Sequence, residues 1–353
     1  METIITKIDR KKPDMEVIQQ AGKILASGGI VAFPTETVYG LGANALDSKA
    51  VEKIFKAKGR PSDNPLIVHI SSQEALSALV SEIPPVAIPL MKHFWPGPLT
   101  LIFPKSSIIP KEITGGLSTV GIRYPVHPIA QKVIQAAQVP IAAPSANLSG
   151  KPSPTKAEHV IHDLKGKVDM IIDGGCSAIG LESTVLDITG EIPMILRPGG
   201  ITQDMIEAVV GPILLDPALE SRREVSQATV PKAPGMKYKH YAPKAQVEVI
   251  VGEVLAVTQR IQQLIKEDKS HRKIGVMATD QTQSQYEGEN VFVLSVGDRK
   301  QPETIASHLF DVLRQFDEED IDVIYAEGVP EVQVGMAIMN RLVKAAGYNI
   351  LYV

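Results

Sequence analysis

Three cations lie within five residues, at Lys56, Lys58 and Arg60. They follow a segment with helical periodicity, Ser48 to Phe55, and precede an apolar run, Pro65 to Ile70, that is typical of a buried strand. The cations therefore occupy a helix-to-strand turn with an exposed backbone. Two interpretations are open: the cations interact with the dipole at the helix C-terminus, or they bind a small and highly charged ligand.

The polar residues at the predicted strand ends favour the second interpretation, because ligands of open α/β sheets bind beyond the carboxyl ends of the strands. The set contains hydroxyls, amides and cations, without a nucleophile elbow or a metal-ligand spacing of cysteine and histidine. It suits phosphate transfer, in which the protein mainly positions the reactants and neutralises charge. The strand-end residues are Thr35, Thr37, His69, Thr119, Arg123, Ser145, Asn147, Ser183, Thr184 and Arg197.

We expect the cations to hold a nucleoside triphosphate, with Mg²⁺ bridging its oxygens. The chain has no Walker A motif, so we do not expect a P-loop enzyme. For Arg123 and Arg197 the alternative is an exposed ion pair, but both stand at a strand end directly before a proline-containing turn, which favours ligand binding. The five cations of this clamp are Lys56, Lys58, Arg60, Arg123 and Arg197.

The bulk composition is that of an ordinary globular protein, with 353 residues, 44% hydrophobic and 22% charged. The net charge of -4 argues against a general nucleic-acid or membrane binder, so local basic clusters indicate a small charged ligand. The single cysteine, Cys176, excludes an internal disulfide and fits a reducing compartment. The N-terminus lacks the pattern of a signal peptide, and no apolar run is long enough to span a bilayer. We expect a cytoplasmic protein.

The chain divides into three regions. Residues 1–211 alternate short apolar strands with helices, and several strands follow each other directly, which predicts a twisted, mixed, open α/β sheet with flanking helices. Residues 212–244 are punctuated by prolines and form a predicted linker. Its aromatic residues either pack on a domain surface or close over a site. Residues 245–353 predict a smaller, doubly wound, Rossmann-like α/β domain without a Gly-x-Gly-x-x-Gly fingerprint.

Local signals add three predictions about individual elements. The segment 34–42, rich in hydroxyls and glycine, is predicted to be a turn that follows a strand. Ser71 with Glu74, and Thr155 with Glu158, have the spacing of capping boxes, which predicts that helices begin at these residues.

Eight short motifs occur in order between residues 15 and 205. None is decisive alone, but the ordered set resembles the threonylcarbamoyl-AMP synthase family, the YrdC-like enzymes. The linker motif at 234–243 and the second domain resemble the longer, two-domain branch of that family. The eight motifs lie at residues 34–42, 58–61, 64–66, 95–100, 121–125, 145–150, 182–185 and 196–199.

The resemblance implies a nucleotidyltransferase that makes threonylcarbamoyl-AMP and pyrophosphate from L-threonine, bicarbonate and ATP, with Mg²⁺. Its product would pass to tRNA threonylcarbamoyltransferase proteins for the threonylcarbamoyladenosine modification of tRNA, and its own contact with tRNA would be indirect or weak. Threonine's amine would give a carbamate, and a carbamate oxygen would attack the α-phosphorus of ATP. The substrate supplies the nucleophile, so the protein needs none.

The resemblance also implies roles for individual residues, motif by motif. The catalytic residues would be Lys58, Arg60, Ser145 and Asn147. Threonine would be held by Thr35, His69, Arg123, Ala143 and Ser183. ATP would be held by Lys58, Ser62, Thr119, Ser145, Asn147, Ser153 and Arg197, with Tyr238 and Tyr241 of the linker closing the site against water.

Two other classes compete with this interpretation. Hydrogenase-maturation carbamoyltransferases share the domain type, but their zinc-finger and acylphosphatase-like regions are absent from this sequence. A non-catalytic RNA-binding module is disfavoured by the acidic charge, the few aromatic residues and the lack of an RNA-recognition motif. Strong salt-dependent RNA binding without ATP turnover would favour that module.

Overall fold

The structure is a computed structural model that describes residues 2–220, 234, 241–268, 270 and 272–353. The described residues form two compact units, the first with residues 2–149, 153–220 and 234, the second with 150–152, 241–268, 270 and 272–353. Most of the predicted linker lies outside the described residues, so its proposed boundaries stay predictions. In the described part of the chain, no helix is long and apolar enough to cross a membrane.

The first unit alternates short strands and helices along the chain. Its strands are β1 (Ile4–Lys7), β2 (Val31–Phe33), β3 (Gly40–Asn44), β4 (Ile67–His69), β5 (Leu99–Pro104), β6 (Thr119–Arg123), β7 (Ile141–Ala142), β8 (Met170–Asp173), β9 (Thr184–Asp187), β10 (Met194–Arg197) and β11 (Leu214–Leu215). Its helices are α1 (Met15–Ala26), α2 (Ser48–Lys58), α3 (Leu76–Leu79), α4 (Ala87–Phe94), α5 (Lys111–Thr114), α6 (Pro128–Ala137), α7 (Ala157–Leu164), α8 (Gln203–Val210) and α9 (Pro217–Glu220).

The strands of this unit form one mixed sheet. Among the described residues, eleven strands pair in the order β1-β8-β2-β3-β7-β4-β6-β5-β9-β10-β11. The sheet contains both parallel pairs, such as β4 with β6, and antiparallel pairs, such as β5 with β6. The fold class predicted from the sequence, a mixed open sheet with flanking helices, is confirmed.

Strand β2 shows why helices cover both faces of the sheet. Its residues are fully buried, and successive side chains of a strand point to opposite faces. Val31 and Phe33 belong to an apolar cluster with residues of α1 and α6, such as Ile18 and Val133. Ala32 belongs to a second cluster, which contains residues of α2. A strand that buries both of its faces has no polar alternation, as its sequence shows.

Three local predictions were wrong. Residues 40–44 form β3, which pairs antiparallel with β2 and begins inside the segment 34–42 that was predicted to be a turn. Helix α3 begins at Leu76, after the first predicted capping box, and α7 begins at Ala157, inside the second; neither helix has a side-chain cap. At α7, the Nδ1 atom of His159 accepts the hydrogen bond from the Thr155 N–H at 3.3 Å, in place of the exposed Glu158.

The second unit is a parallel α/β sheet. Its five described strands pair in the order β14-β13-β15-β12-β16, all in parallel, which confirms the smaller α/β domain. The strands are rich in apolar residues, and the central strands β13 and β15 are buried along their whole length, as is typical of a parallel sheet covered on both faces. The strands are β12 (Gln246–Val251), β13 (Ile274–Ala278), β14 (Val291–Ser295), β15 (Val323–Glu327) and β16 (Ile350–Tyr352). The helices are α10 (Val254–Glu267), α11 (Pro302–Glu318) and α12 (Val334–Ala345), with a 3₁₀ turn at Gln283–Gln285.

Candidate active site

A row of directly paired residues crosses the first sheet at the strand ends. His69 of β4 pairs with Arg123 of β6, and Arg123 pairs with Thr100 of β5. Neighbouring strands lie about 4.8 Å apart, so the backbones of Arg123 and Arg197 are roughly 14 Å apart along the row. The row therefore aligns two of the predicted cations with a predicted threonine contact. It runs through Ile141, His69, Arg123, Thr100, Val185 and Arg197.

Lys58 joins the two motifs predicted to be catalytic. Helix α2 begins at the N-cap Asp47 and ends at Gly59, whose φ of 61° lies in the left-handed region that favours glycine. This places Lys58 in the last turn, where it is only 2% exposed. Its Nζ donates to the backbone carbonyl of Ser145, to the Asn147 carbonyl at 2.6 Å and to Asn147 Oδ1 at 3.2 Å. The Ser145 hydroxyl donates to the same Oδ1 at 2.6 Å. The Lys-x-Arg and Ser-x-Asn motifs are therefore in direct contact.

The other residues of the basic turn have different environments. Arg60 Nη2 donates to the Pro65 carbonyl at 3.0 Å, which closes the turn on itself. Lys56 and Ser62 are exposed. The sequence cluster of cations is thus divided, with Lys58 turned inward to the Ser145–Asn147 segment and Lys56 turned to solvent.

Arg123 is held by the hydroxyl-rich segment that follows β2. Its Nη2 donates to Glu36 Oε1 at 2.6 Å, and the two side chains are only 5% and 7% exposed. Its Nη1 donates to Thr37 Oγ1 at 2.9 Å, and that hydroxyl lies 2.9 Å from Thr35 Oγ1. Thr35 in turn donates to the Val38 carbonyl at 2.6 Å. The guanidinium is therefore fixed by two consecutive residues of one motif, of which sequence reasoning assigned Thr37 but not Glu36 to the strand-end set.

Two buried histidines beside this ion pair are neutral at physiological pH. Burial, and then the charge of Arg123, lower the pKa of His69 to about 3. Its Nδ1 lies 3.2 Å from the Ile67 carbonyl, which only accepts, so Nδ1 carries the proton and Nε2 is an acceptor. Burial lowers the pKa of His127 to about 4, against the opposite effect of Glu36. His127 Nδ1 accepts from the Ile129 N–H at the start of α6, so its proton is on Nε2.

Arg197, which was predicted to bind ATP, contacts Ser183, which was predicted to bind threonine. Its Nε and Nη2 donate to the Ser183 carbonyl at 3.1 and 3.0 Å, and its Nη1 donates to the Pro234 carbonyl at 3.2 Å. The Ser183 hydroxyl lies 2.8 Å from that of Thr100. The following turn depends on Gly199, because a Cβ atom there would lie 2.3 Å from the backbone nitrogen of Thr184. Only glycine allows so close an approach.

The remaining predicted site residues lie at varied distances from the row. Ala143 directly follows β7, and its N–H donates to the Ile67 carbonyl at 3.0 Å, close to His69. Ser153 is buried and donates to Glu182 Oε1 at 2.5 Å. Thr119 begins β6, so its backbone is about 13 Å from Arg123 along the strand.

Only one of the two linker tyrosines, Tyr241, belongs to the described residues. Tyr238 lies outside the described residues. Tyr241 is buried in the second unit, where its ring stacks on Phe310 at 5.1 Å between centroids and faces the Arg341 guanidinium at 5.9 Å. Its backbone has a φ of 65°. The proposed contact of both tyrosines with ATP stays a prediction.

Sequence reasoning missed several buried polar residues of this region. Their signal is present in retrospect, because each stands beside a predicted residue within one of the eight motifs or at a helix start. A carboxylate inside an otherwise apolar or hydroxyl-bearing motif, as at Glu36 and Glu182, indicates a buried partner. The missed residues are Glu36, Thr100, His127 and Glu182.

Comparison with protein families matches nearly the whole chain. Residues 23–199 match a family described as "Telomere recombination", and residues 201–347 match one described as "Threonylcarbamoyl-AMP synthase, C-terminal domain". The two matches adjoin each other and together include every described residue of the row.

Similar proteins match over most of their own length. Proteins named threonylcarbamoyl-AMP synthase are 51% identical in Pyrococcus abyssi, over 99% of this chain and 100% of the relative, and 52% identical in Bacillus subtilis, over 95% and 94%. A Schizosaccharomyces pombe protein of the same name is 40% identical over 90% and 84%. The crystal structure of Pyrococcus abyssi Sua5 complexed with L-threonine has a TM-score of 0.93 at 50% identity, over 99% of this chain and 100% of that one. The predicted resemblance is confirmed, and the chain belongs to the threonylcarbamoyl-AMP synthase family, in the branch with the C-terminal domain.

Proposed function

We propose that the protein is an L-threonylcarbamoyladenylate synthase, a nucleotidyltransferase that condenses L-threonine, bicarbonate and ATP to threonylcarbamoyl-AMP and pyrophosphate. The observation that carries the proposal is the full-length match, at 51% identity, to a Pyrococcus abyssi protein of that name. A solved structure from the same organism contains L-threonine. The product feeds the threonylcarbamoyladenosine modification of tRNA.

The reaction requires no nucleophile from the protein. Threonine's amine and bicarbonate form a carbamate and water, and a carbamate oxygen then attacks the α-phosphorus of ATP, from which pyrophosphate leaves. The side chains bind, orient and exclude water, since carbamates and mixed anhydrides both hydrolyse. Buried Arg123 supplies a guanidinium that can bind a carboxylate through two parallel hydrogen bonds. His69 supplies a neutral acceptor at Nε2, suited to the hydroxyl of threonine.

The threonine and ATP sites meet in this proposal where Arg197 contacts Ser183. Threonine is held by Thr35, His69, Arg123, Ala143 and Ser183. ATP is held by Lys58, Ser62, Thr119, Ser145, Asn147, Ser153 and Arg197, with Tyr238 and Tyr241 as closing residues and Arg60 as a further catalytic residue beside Lys58.

Magnesium belongs to the nucleotide in this proposal. In the described part of the chain, no three histidine, cysteine or carboxylate side chains are grouped to bind a metal ion. Mg²⁺ usually keeps several waters and is bound through substrate phosphates rather than by an all-protein cage. The donors near Lys58 and Arg197 are amides, hydroxyls and cations, which suit the phosphates of a magnesium–ATP complex. The proposed setting is the cytoplasm, with tRNA threonylcarbamoyltransferase proteins as recipients of the product and only indirect or weak contact with tRNA.

Pyrophosphate release tests the proposal directly. The full-length protein is incubated with magnesium–ATP, bicarbonate and each amino acid in turn, and we expect release with threonine above all others. Lys58→Ala and Arg123→Ala should each lower the rate roughly 100-fold or more, because each removes a buried cation from the site. Lys53→Ala is the matched control, since Lys53 is exposed on the same helix as Lys58. Wild-type rates from either site variant would contradict the proposal.

A further inference from the structure

The predicted threonine contacts include a partner for the carboxylate of the amino acid but none for its ammonium group. A free amino acid carries a carboxylate and an ammonium group, and buried charges require a partner. In the proposed site, the guanidinium of Arg123 pairs with the carboxylate. None of Thr35, His69, Ala143 and Ser183 is anionic, and His69 is neutral down to a pKa of about 3. A carboxylate is therefore missing from the set.

Glu36 is the buried carboxylate that adjoins Arg123. Only 7% of its side chain is exposed, and Oε1 accepts from Arg123 Nη2 at 2.6 Å. It follows β2 directly after Thr35, one of the predicted threonine contacts. Its position beside Arg123 is therefore set by the same short segment that holds the Arg123 guanidinium.

The ion pair leaves one donor and one acceptor unused. Within the described residues, Glu36 Oε2 and Arg123 Nε are buried and have no hydrogen-bond partner. Buried polar atoms are almost always bonded, so two open atoms on one ion pair require an explanation. Both lie beneath the surface, and the last torsion of a glutamate is soft, so a small rotation presents Oε2 to a ligand.

The open atoms complement an α-amino acid. The Nε–H of Arg123 donates, as a carboxylate requires, and the Oε2 of Glu36 accepts, as an ammonium group requires. Charges of alternating sign then follow one another from Arg123 through the ligand to Glu36. A ligand without a free α-amino group has no donor for Glu36 Oε2, so this oxygen stays without a hydrogen bond.

We propose that Glu36 binds the α-ammonium group of the amino-acid substrate and thereby favours ligands with a free α-amino group over ligands without one. This inference rests on the proposed threonine site at Arg123. It assigns Glu36 to the recognition of substrate rather than only to the support of Arg123.

Measuring the binding of two ligands to the wild-type protein and to Glu36→Gln separates these two roles. Isothermal titration measures the binding of L-threonine and of (R)-3-hydroxybutanoate, which keeps the carboxylate and the side-chain hydroxyl but lacks the amine. We expect Glu36→Gln to weaken threonine binding roughly 10- to 100-fold, the value of a hydrogen bond to a charged group, and to change hydroxybutanoate binding less than twofold. Glu191→Gln, an exposed carboxylate in the β9–β10 turn, is the control and should change neither.

Each other outcome overturns the inference. Equal weakening of both ligands would mean that Glu36 only orients Arg123, and tighter binding of both would mean that Glu36 competes with the carboxylate. Glu36→Asp keeps the charge of the ion pair and withdraws the carboxylate by one methylene. An unchanged ratio of the two affinities in that variant would also overturn it. Absence of threonine binding to the wild-type protein would instead defeat the proposed function.

Discussion

A buried arginine–glutamate pair occurs beside strand ends in each unit, and the two pairs are bonded differently. Arg123 and Glu36 lie 2.6 Å apart in the first unit, and Arg299 and Glu327 lie 3.0 Å apart in the second. The carboxylates are 7% and 1% exposed. Both arginines keep an Nε without a partner in the described residues, so the difference lies in the carboxylates.

Glu327 uses both of its oxygens, whereas Glu36 uses one. Glu327 Oε1 accepts from Thr282 Oγ1 at 2.5 Å and from the Tyr286 hydroxyl at 2.6 Å. Its Oε2 accepts from Arg299 and from the Thr279 hydroxyl at 2.9 Å. A saturated carboxylate of this kind ties the loops after β13 and β14 to the end of β15. An unsaturated one, as in the first unit, has capacity for a ligand.

The largest expected effect compares the same substitution at the two carboxylates. Glutamine at position 36 keeps the oxygen that faces Arg123 and places its NH₂ where no donor lies. At position 327 the NH₂ faces donors that a carboxylate satisfied. Both variants lose a charge, so we expect Glu327→Gln to lower the unfolding free energy by about 1–3 kcal/mol more than Glu36→Gln.

Separate probes are needed for the two units. The single tryptophan, Trp95, lies in the first unit and reports its unfolding in urea by fluorescence. Hydrogen exchange of β13 and β15 reports the second unit. Equal losses in the two variants would show that the hydroxyl bonds around Glu327 contribute nothing, and the comparison would fail.

A smaller effect is expected on stability at acidic pH, because two neutral histidines lie beside the Arg123–Glu36 pair of the first unit. The pKa of His69 falls from its ordinary 6.5 to about 3 on folding, so between these values the unfolded chain binds a proton that the folded chain does not. Stability therefore decreases as the pH falls from about 6.5, by up to about 1.4 kcal/mol per pH unit for each such histidine. We expect His69→Gln to flatten the slope by about that amount between pH 4 and 6, measured by urea unfolding. The exposed His93→Gln is the control, and an unchanged slope in His69→Gln would contradict the assignment.

The smallest effect is expected from single hydroxyls on either pair. Thr37→Val removes an acceptor from Arg123, and Thr282→Val removes a donor to Glu327, each a loss of about 1 kcal/mol. On the proposed function, only Thr37→Val should raise the KM for threonine, several-fold, because Arg123 alone faces that substrate. Thr282→Val should lower the stability of the second unit and leave this KM unchanged. A rise in KM for both variants would remove the distinction between the two pairs.

Much of the fold was predictable because its strands are short apolar runs that alternate with amphipathic helices. The errors arose where packing overrides local preference. Strand β3 contains Gly40 and Gly42, which indicate a turn, yet a Cβ on Gly42 would lie 2.6 Å from the ring of Phe33. The glycine is required by the neighbouring strand, and no local signal contains that information. Strand β1, with mostly exposed residues, and β16 have weak patterns and were not predicted.

The candidate site was predictable as a list of residue types but not as a set of contacts. Motif similarity indicated Lys58 and Ser145, and the spacing of strands indicated Arg123. The partners of these residues are distant in the chain, as in the contact of Lys58 with Asn147 or of Arg123 with Glu36. A single sequence does not pair residues so far apart. For the same reason, the unsaturated state of Glu36 is visible only in three dimensions.

The row of residues from His69 to Arg197 also determines when the site can form during synthesis and folding of the chain. Its members come from five strands between residues 67 and 197 and become neighbours only when those strands pair in the sheet. Long-range strand pairing is slow, since loop closure precedes any gain from the contacts. A nascent chain halted before β10 therefore contains most of the motifs but lacks Arg197, the end of the row that this strand supplies.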